Sequence, residues 1–251
     1  MKKADAFFYT LLATFAAALV WLIPCIFMFT PEAQAEAGGL AFKIFFFHVP
    51  VAFATYLMGA ACFLASAVYL VRPTEGANAW ARAGSECAAF FGTLVLCSGP
   101  LWAKKAWGTY WVWDPQLITL LLSVLIYYAI WLLRTFAGDG AAERRFAAAL
   151  GVMGAVNLPI IHYSVQKWGG NHPTVNRTGG GGIDDSMKLA FFLGVITLTF
   201  IFAPLLLWLR SRVALLHSQV EHLWQDALAR GLADDARELE PMAEPMPEHT
   251  K

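Results

Sequence analysis

Charge is scarce in this chain. Only 14% of its 251 residues are Asp, Glu, Lys or Arg, and the formal net charge is zero. Ordinary soluble domains carry about 25% charged residues. Without a basic excess there is nothing to neutralise a phosphate backbone, so no nucleic-acid partner is expected. Cysteine is equally thin: Cys25, Cys62, Cys87 and Cys97, with no CxxC spacing. All four fall inside or at the ends of apolar runs, the usual place for small buried apolar residues. Neither a disulfide framework nor a thiol relay is expected from them. A Gly-rich phosphate loop followed by Lys-Ser or Lys-Thr is also missing, so no ATP site is expected in this chain. No internal repeat is visible.

Apolar sequence is what remains. Hydrophobic residues make up 58% of the chain, and the mean hydropathy is +0.54. Charge-free windows run between Asp5 and Glu32, Lys43 and Arg72, Glu86 and Lys104, Asp114 and Arg134, Arg145 and Lys167, and Lys188 and Arg210. Each approaches or exceeds the roughly 18–20 residues that cross ~30 Å of hydrocarbon as a helix. Backbone groups in lipid must bond internally, so these windows predict helices rather than open strands. The expected fold is an all-α integral membrane protein of about six spans embedded in a lipid bilayer. The spans are placed at about 7–29, 45–71, 83–101, 117–133, 146–163 and 189–208, and the six-helix domain at 1–209. The first apolar run, about 23 residues, is longer than the 7–15 residues of a signal-peptide core, so it reads as a retained span.

Lys and Arg set the expected orientation. With the N-terminus in the cytoplasm, Lys2, Lys3, Arg72, Arg82, Arg134, Arg144, Arg145, Arg210 and Arg212 fall inside. Lys43, Lys104, Lys105, Lys167, Arg177 and Lys188 fall outside. Both termini are then cytoplasmic, and the segment "WGTYWVWDP" (107–115) is a Trp-rich loop on the outer face. Residues 210–251 form a polar tail. Val220, Leu223, Trp224, Leu228 and Leu232 have helical spacing there, and a Pro-rich, disordered end follows.

Among the histidines, His217, His222 and His249 belong to the solvated tail. His48 and His162 lie within charge-free windows, where an ionisable residue is costly and usually functional. Each is five residues from the lysine that bounds its window at the outer face, Lys43 or Lys167. At ~1.5 Å per residue both imidazoles should stand roughly 7–8 Å inward of those lysines. A lone histidine there reads as an interfacial residue bonded to a backbone carbonyl. A pair on different helices at similar depth suits axial ligation of one haem iron. Zinc lacks a third and fourth ligand at suitable spacing.

The aromatic loop reads two ways. Trp and Tyr collect at membrane interfaces as a belt. Indole faces also stack on a flat apolar porphyrin. Asp114 is the expected N-cap of the fourth span, with Pro115 at its first helical position. Trp111 and Trp113 alternate with Tyr110 and Val112, so an extended strip turns both indoles to one side. Pro159 is expected to kink the fifth span, and Asn157 to bond a neighbouring helix.

"FFFHVP", "WGTYWVWDP" and "VNLPIIHYSV", in this order and spacing, resemble the cytochrome c maturation protein C family of the haem-handling (WWD) superfamily. The resemblance covers about residues 7–209. It implies that the chain binds haem b (iron protoporphyrin IX) at the periplasmic face of the bacterial inner membrane. It implies delivery to a membrane-anchored haem chaperone, cytochrome c maturation protein E (CcmE). It also implies a complex with the single-span protein D (CcmD) and an ABC transporter of proteins A and B (CcmA and CcmB). The chain itself would be non-catalytic. The family's haem-ligand histidines map onto His48 and His162. Its Trp-rich signature maps onto Trp107, Gly108, Trp111, Val112, Trp113 and Asp114, with Tyr110 where relatives often carry another tryptophan. Pro115-Gln116 replaces a common Ala-Arg pair, which leaves Lys104, Lys105 and Arg177 as candidates for the propionate contact. The competing reading is a b-type cytochrome subunit for electron transfer, which usually requires a second haem or a quinone site. A secondary transporter would show paired broken helices and inverted repeats, which are not found. A scaffold subunit with incidental haem contact is the remaining class.

Overall fold

The computed structural model describes residues 3–33, 38–138, 140–169 and 183–230. Among these there are seven α-helices and no strand: α1 (Lys3–Pro24), α2 (Phe45–Val71), α3 (Glu75–Ala106), α4 (Pro115–Phe136), α5 (Ala141–Trp168), α6 (Asp185–Gly194) and α7 (Ala203–Ala229). A π-helical segment, Cys25–Phe29, extends α1, and a second, Val195–Phe202, joins α6 to α7 without a break. A 3₁₀ turn, Gly39–Ile44, leads into α2. Six helical stretches are long and apolar enough to cross a membrane, as the charge-free windows predicted.

Short connections make α2 to α5 run up and down. The start of α2, the end of α3, the start of α4 and the end of α5 therefore share one end of the bundle. That end carries the 107–114 loop and is called the aromatic end below. The opposite end is ionic. There Arg144 reaches Glu75, Arg210 and Arg82 both reach Glu86, and buried Arg134 donates to Asn78 Oδ1 at 2.8 Å.

Those ion pairs explain why α3 is longer than its charge-free window. Glu75 and Arg82 precede the expected start of the third span at 83, and Glu86 bounds its charge-free window. They lie inside the helix, and α5 and α7 supply counter-charges to the two carboxylates. The polar helix expected after Arg210 is likewise no separate element, because α7 carries the sixth span straight through to Ala229. Leu232, His249 and the rest of the tail beyond Arg230 lie outside the described residues, as do His172 and Arg177.

The α2–α3 seam is built on glycine. An ideal Cβ on Gly84 would stand 2.7 Å from Cys62 N and one on Gly99 3.1 Å from His48 Cε1, while one on Gly92 would meet Val124 Cγ2 of α4 at 2.6 Å and Thr55 Cγ2 of α2 at 3.5 Å. Successive glycines are about two turns apart on α3, and so are Cys62, Thr55 and His48 on α2. Small residues let membrane helices approach closely. His48 is the outermost rung of this ladder.

Prolines concentrate in the aromatic half: Pro50 in α2, Pro100 in α3 and Pro159 in α5. Each lacks the N–H that would bond the carbonyl four residues back. Pro50 O accepts the Thr199 hydroxyl at 2.7 Å, which ties α2 to the second π-helical segment. At the start of α6, the N–H and hydroxyl of Ser186 both donate to Asp184. Those bonds hold the Asp184 carboxyl below the usual range.

Candidate functional site: a histidine and an aromatic loop at one end of the bundle

His48 sits in the first turn of α2, half-buried. Its Nδ1 is 2.8 Å from Ser98 Oγ on α3. The Ser98 hydroxyl donates in turn to Leu94 O at 2.7 Å. Gly99 leaves the ring its seat against the α3 backbone. His162 lies in the last two turns of α5 and is exposed, its ring edge-on to Tyr163 at 5.0 Å.

Both histidines belong to the aromatic end, but they are not level along the helices. Gly151 of α5 faces α2, where a Cβ would stand 3.1 Å from Cys62 Sγ and 2.5 Å from Ser66 Oγ. Counted outward from there at 1.5 Å per residue, His162 lies about 16 Å along α5 and His48 about 21–27 Å along α2. The equal-depth expectation took Lys43 as a membrane-edge marker. Lys43 is only 7% exposed, and its Nζ donates to Phe27 O at 3.0 Å and Thr30 O at 3.1 Å. It satisfies carbonyls at the C-terminal end of the first span, where a cation is favoured.

The loop is tied down at both ends. Trp107 caps α3, its N–H bonded to Ala103 O at 2.7 Å. Gly108 follows at φ +76°, the left-handed conformation that ends helices and that L side chains resist. Gly108 O accepts from Lys104 Nζ at 3.0 Å, and that ammonium lies 5.3 Å from the Tyr110 ring centre. Trp107 meets Trp102 edge-on at 5.1 Å. Trp111 and Trp113 meet edge-on at 5.8 Å, so alternation does bring both indoles to one side. Trp113 is 76% exposed. Trp111 is half-buried, and its shielded Nε1–H has no hydrogen-bond partner among the described residues. Asp114 is 5% exposed and accepts from Gln116 N at 2.9 Å, with Pro115 opening α4 as the sequence predicted. Asn157 Nδ2 donates to Thr119 O at 2.6 Å and Ser123 Oγ at 2.7 Å, which fixes α5 against α4 below His162.

The family model described as heme exporter protein C matches residues 2–226. The chain belongs to that family. "Heme exporter protein C" of Haemophilus influenzae is 29% identical over 92% of both chains. The protein of the same name from Bradyrhizobium diazoefficiens is 36% identical over 66% of this chain and 64% of its own. That from Escherichia coli K12 is 34% identical over 58% and 59%. The chain thus spans somewhat under two thirds of two of these relatives and nearly all of the third.

Membership of the heme exporter family gives the aromatic end a chemical test. An indole N–H buried without an acceptor suits a ligand that brings one, such as a carboxylate. A histidine held through Nδ1 suits a metal at its other nitrogen. Exposed indole and phenol faces suit a planar apolar ring. The residues present fit a haem. Sequence reasoning missed Ser98, Gly99 and Lys43. The one legible trace was the spacing of Gly84, Gly92 and Gly99, eight and then seven residues apart on one helix, beside Cys62, Thr55 and His48, seven apart on the helix before it.

Proposed function

We propose that this chain is the haem-handling subunit of a cytochrome c maturation system, non-catalytic itself. It holds haem b at the periplasmic face of the bacterial inner membrane and delivers it to the haem chaperone CcmE. It works with CcmD and the transporter subunits CcmA and CcmB, which supply the ATP-driven step. The match to the heme exporter family along residues 2–226 is the observation that carries this reading.

His48 and His162 are the residues that would hold the iron. When bound, haem would supply an iron able to take imidazole nitrogen as a ligand. The chain's own residues do the rest. Ser98 and Gly99 orient His48. Trp107, Tyr110, Trp111 and Trp113 offer apolar ring surface, and the buried Trp111 N–H and the nearby Lys104 ammonium are available to propionates. Gly108 and Asp114 fix the two ends of the strip, so its shape exists before the ligand arrives. The exposed faces of Tyr110 and Trp113 leave an open platform from which cargo can pass to a partner.

The test is the optical spectrum and haem content of the whole chain purified in detergent. Low-spin bis-histidine haem in the wild type is expected, with loss of most of it in His48→Ala and in His162→Ala and none in His217→Ala. Wild-type spectra and chaperone loading in both ligand variants would refute the assignment. A redox titration with a second haem or a bound quinone would favour an electron-transfer cytochrome instead.

A further inference from the structure

The Ser98 hydroxyl stands between backbone carbonyls of its own helix and the His48 ring, with Leu94 O at 2.7 Å the nearer carbonyl and Val95 O at 3.4 Å the farther. Leu94 O can only accept. Ser98 owns a single hydroxyl proton and lies within hydrogen-bond distance of both Leu94 O, at 2.7 Å, and His48 Nδ1, at 2.8 Å. If both contacts are hydrogen bonds, the Ser98 proton goes to Leu94 O and the Ser98 lone pair receives a proton from Nδ1. His48 is then the Nδ1–H tautomer, and its lone pair belongs to Nε2. We propose that Ser98 is a positioning residue that selects this tautomer and ring orientation and so prepares His48 Nε2 as an iron ligand, with Gly99 providing the seat that keeps the ring within reach of the hydroxyl. The iron in this statement rests on the haem-binding reading above. The tautomer does not.

Two further observations support the assignment. Serine is a weak helix former, and here its hydroxyl bonds back to the preceding turn, a habit that often bends helices. Next to it stand Gly99 and Pro100, two more residues that weaken a helix interior. Three unfavourable residues in a row argue that the site is shaped for something other than helix stability. The register of the seam argues the same way. At the rungs below, Gly84 lets α3 approach the Cys62 backbone, and Gly92 makes room for Val124 of α4 beside Thr55. At the outermost rung Gly99 admits an imidazole, and the adjacent residue, Ser98, sets its hydroxyl 2.8 Å from that ring's Nδ1. His162 shows no comparable fixation among the described residues: its ring is exposed against Tyr163. The two ligands would then differ, one held before cargo arrives and one closing on it.

The experiment compares Ser98→Thr with Ser98→Val in the full chain. Both side chains have the same shape, and only threonine keeps the hydroxyl. Three readouts apply: ¹⁵N-histidine NMR of the haem-free protein for the His48 tautomer, haem retained after gel filtration, and the haem midpoint potential. Expected is a wild-type Nδ1–H signal and near-normal haem retention in Ser98→Thr. Ser98→Val should show a mixed tautomer, retention weaker by about 10–100-fold, and a shifted potential, the scale typical of lost outer-shell partners. Gly99→Ala should displace the ring and mimic Ser98→Val. Identical tautomer, retention and potential in the Thr and Val variants would overturn the proposal while leaving His48 as ligand. Unchanged haem binding in His48→Ala would sink the haem reading itself, and the NMR comparison in haem-free protein would still decide the tautomer.

Discussion

Replacing Gly84 by alanine adds one methyl group where two helix backbones nearly touch. The new Cβ would lie 2.7 Å from Cys62 N, 2.8 Å from Cys62 Cα and 3.0 Å from Cys62 Cβ. Carbon contacts settle at about 3.5–4.0 Å, so α2 and α3 must part by about 1 Å there. The atoms in the way are backbone and Cβ, which cannot turn aside as a side-chain tip could. Overpacking of this kind costs about 1–3 kcal/mol, and the upper end applies. Alanine returns about 1 kcal/mol of helix propensity. The net loss is about 2 kcal/mol, or roughly 30-fold in the unfolding equilibrium. Gly76→Ala is the matched control, because nothing lies within 4 Å of its Cβ position. That variant should be as stable as wild type or slightly more so. Reversible denaturation of the full chain in mixed micelles, read by tryptophan fluorescence, measures both. Equal stability of the two variants would refute the close-packed seam. It would also undercut the argument that the same seam sets the position of His48.

Lys43→Met should destabilise the first span by about 2–4 kcal/mol, because two charge-assisted bonds to Phe27 O and Thr30 O disappear and leave buried carbonyls unpaired. Protease accessibility of the 25–45 region checks this, and wild-type resistance would show that the lysine bonds are dispensable. Double replacement of Trp111 and Trp113 by alanine should slow the proposed loading of CcmE by about an order of magnitude while leaving insertion near normal, because two aromatic contacts of about 0.5–1.5 kcal/mol each are lost. Normal loading by an inserted double variant would reduce the strip to an interfacial belt. Reporter fusions at Gly140 and Gly180 should report opposite compartments, cytoplasm and periplasm; a shared compartment would contradict the proposed orientation.

Much of the helical framework could be read from the absence of charge. The second span was placed at 45–71, and α2 has those bounds. The Asp114 cap and Asn157 bridge were legible because their chemistry is local or demands a neighbour. Other features needed the third dimension. The charges of α3 looked like an edge until their partners on α5 and α7, far along the chain, appeared. Lys43 looked like a membrane-surface lysine because nothing in its neighbourhood says that the end of α1 passes beside it. Ser98 carries no signature at all: an isolated serine in a helix means little until the α2–α3 register sets it against His48. The aromatic strip lay between these cases. Its alternation foretold that Trp111 and Trp113 meet, while the role of Gly108 as a left-handed helix end follows only from its backbone angle.

The three prolines near the aromatic end have a mechanical consequence. Pro50 lies just beyond His48, Pro100 just beyond Ser98, and Pro159 just before His162. At each, one rung of the helical ladder is already missing, so tilting the outer segment breaks no bond there. The ionic end has the opposite character, with Glu75, Glu86, Arg144 and Arg210 lashing α3, α5 and α7 together. The molecule is thus tied by ion pairs at one pole and jointed by prolines at the other. On the function proposed above, handing cargo to a partner at the aromatic end would call on those three joints and leave the ion-paired end untouched.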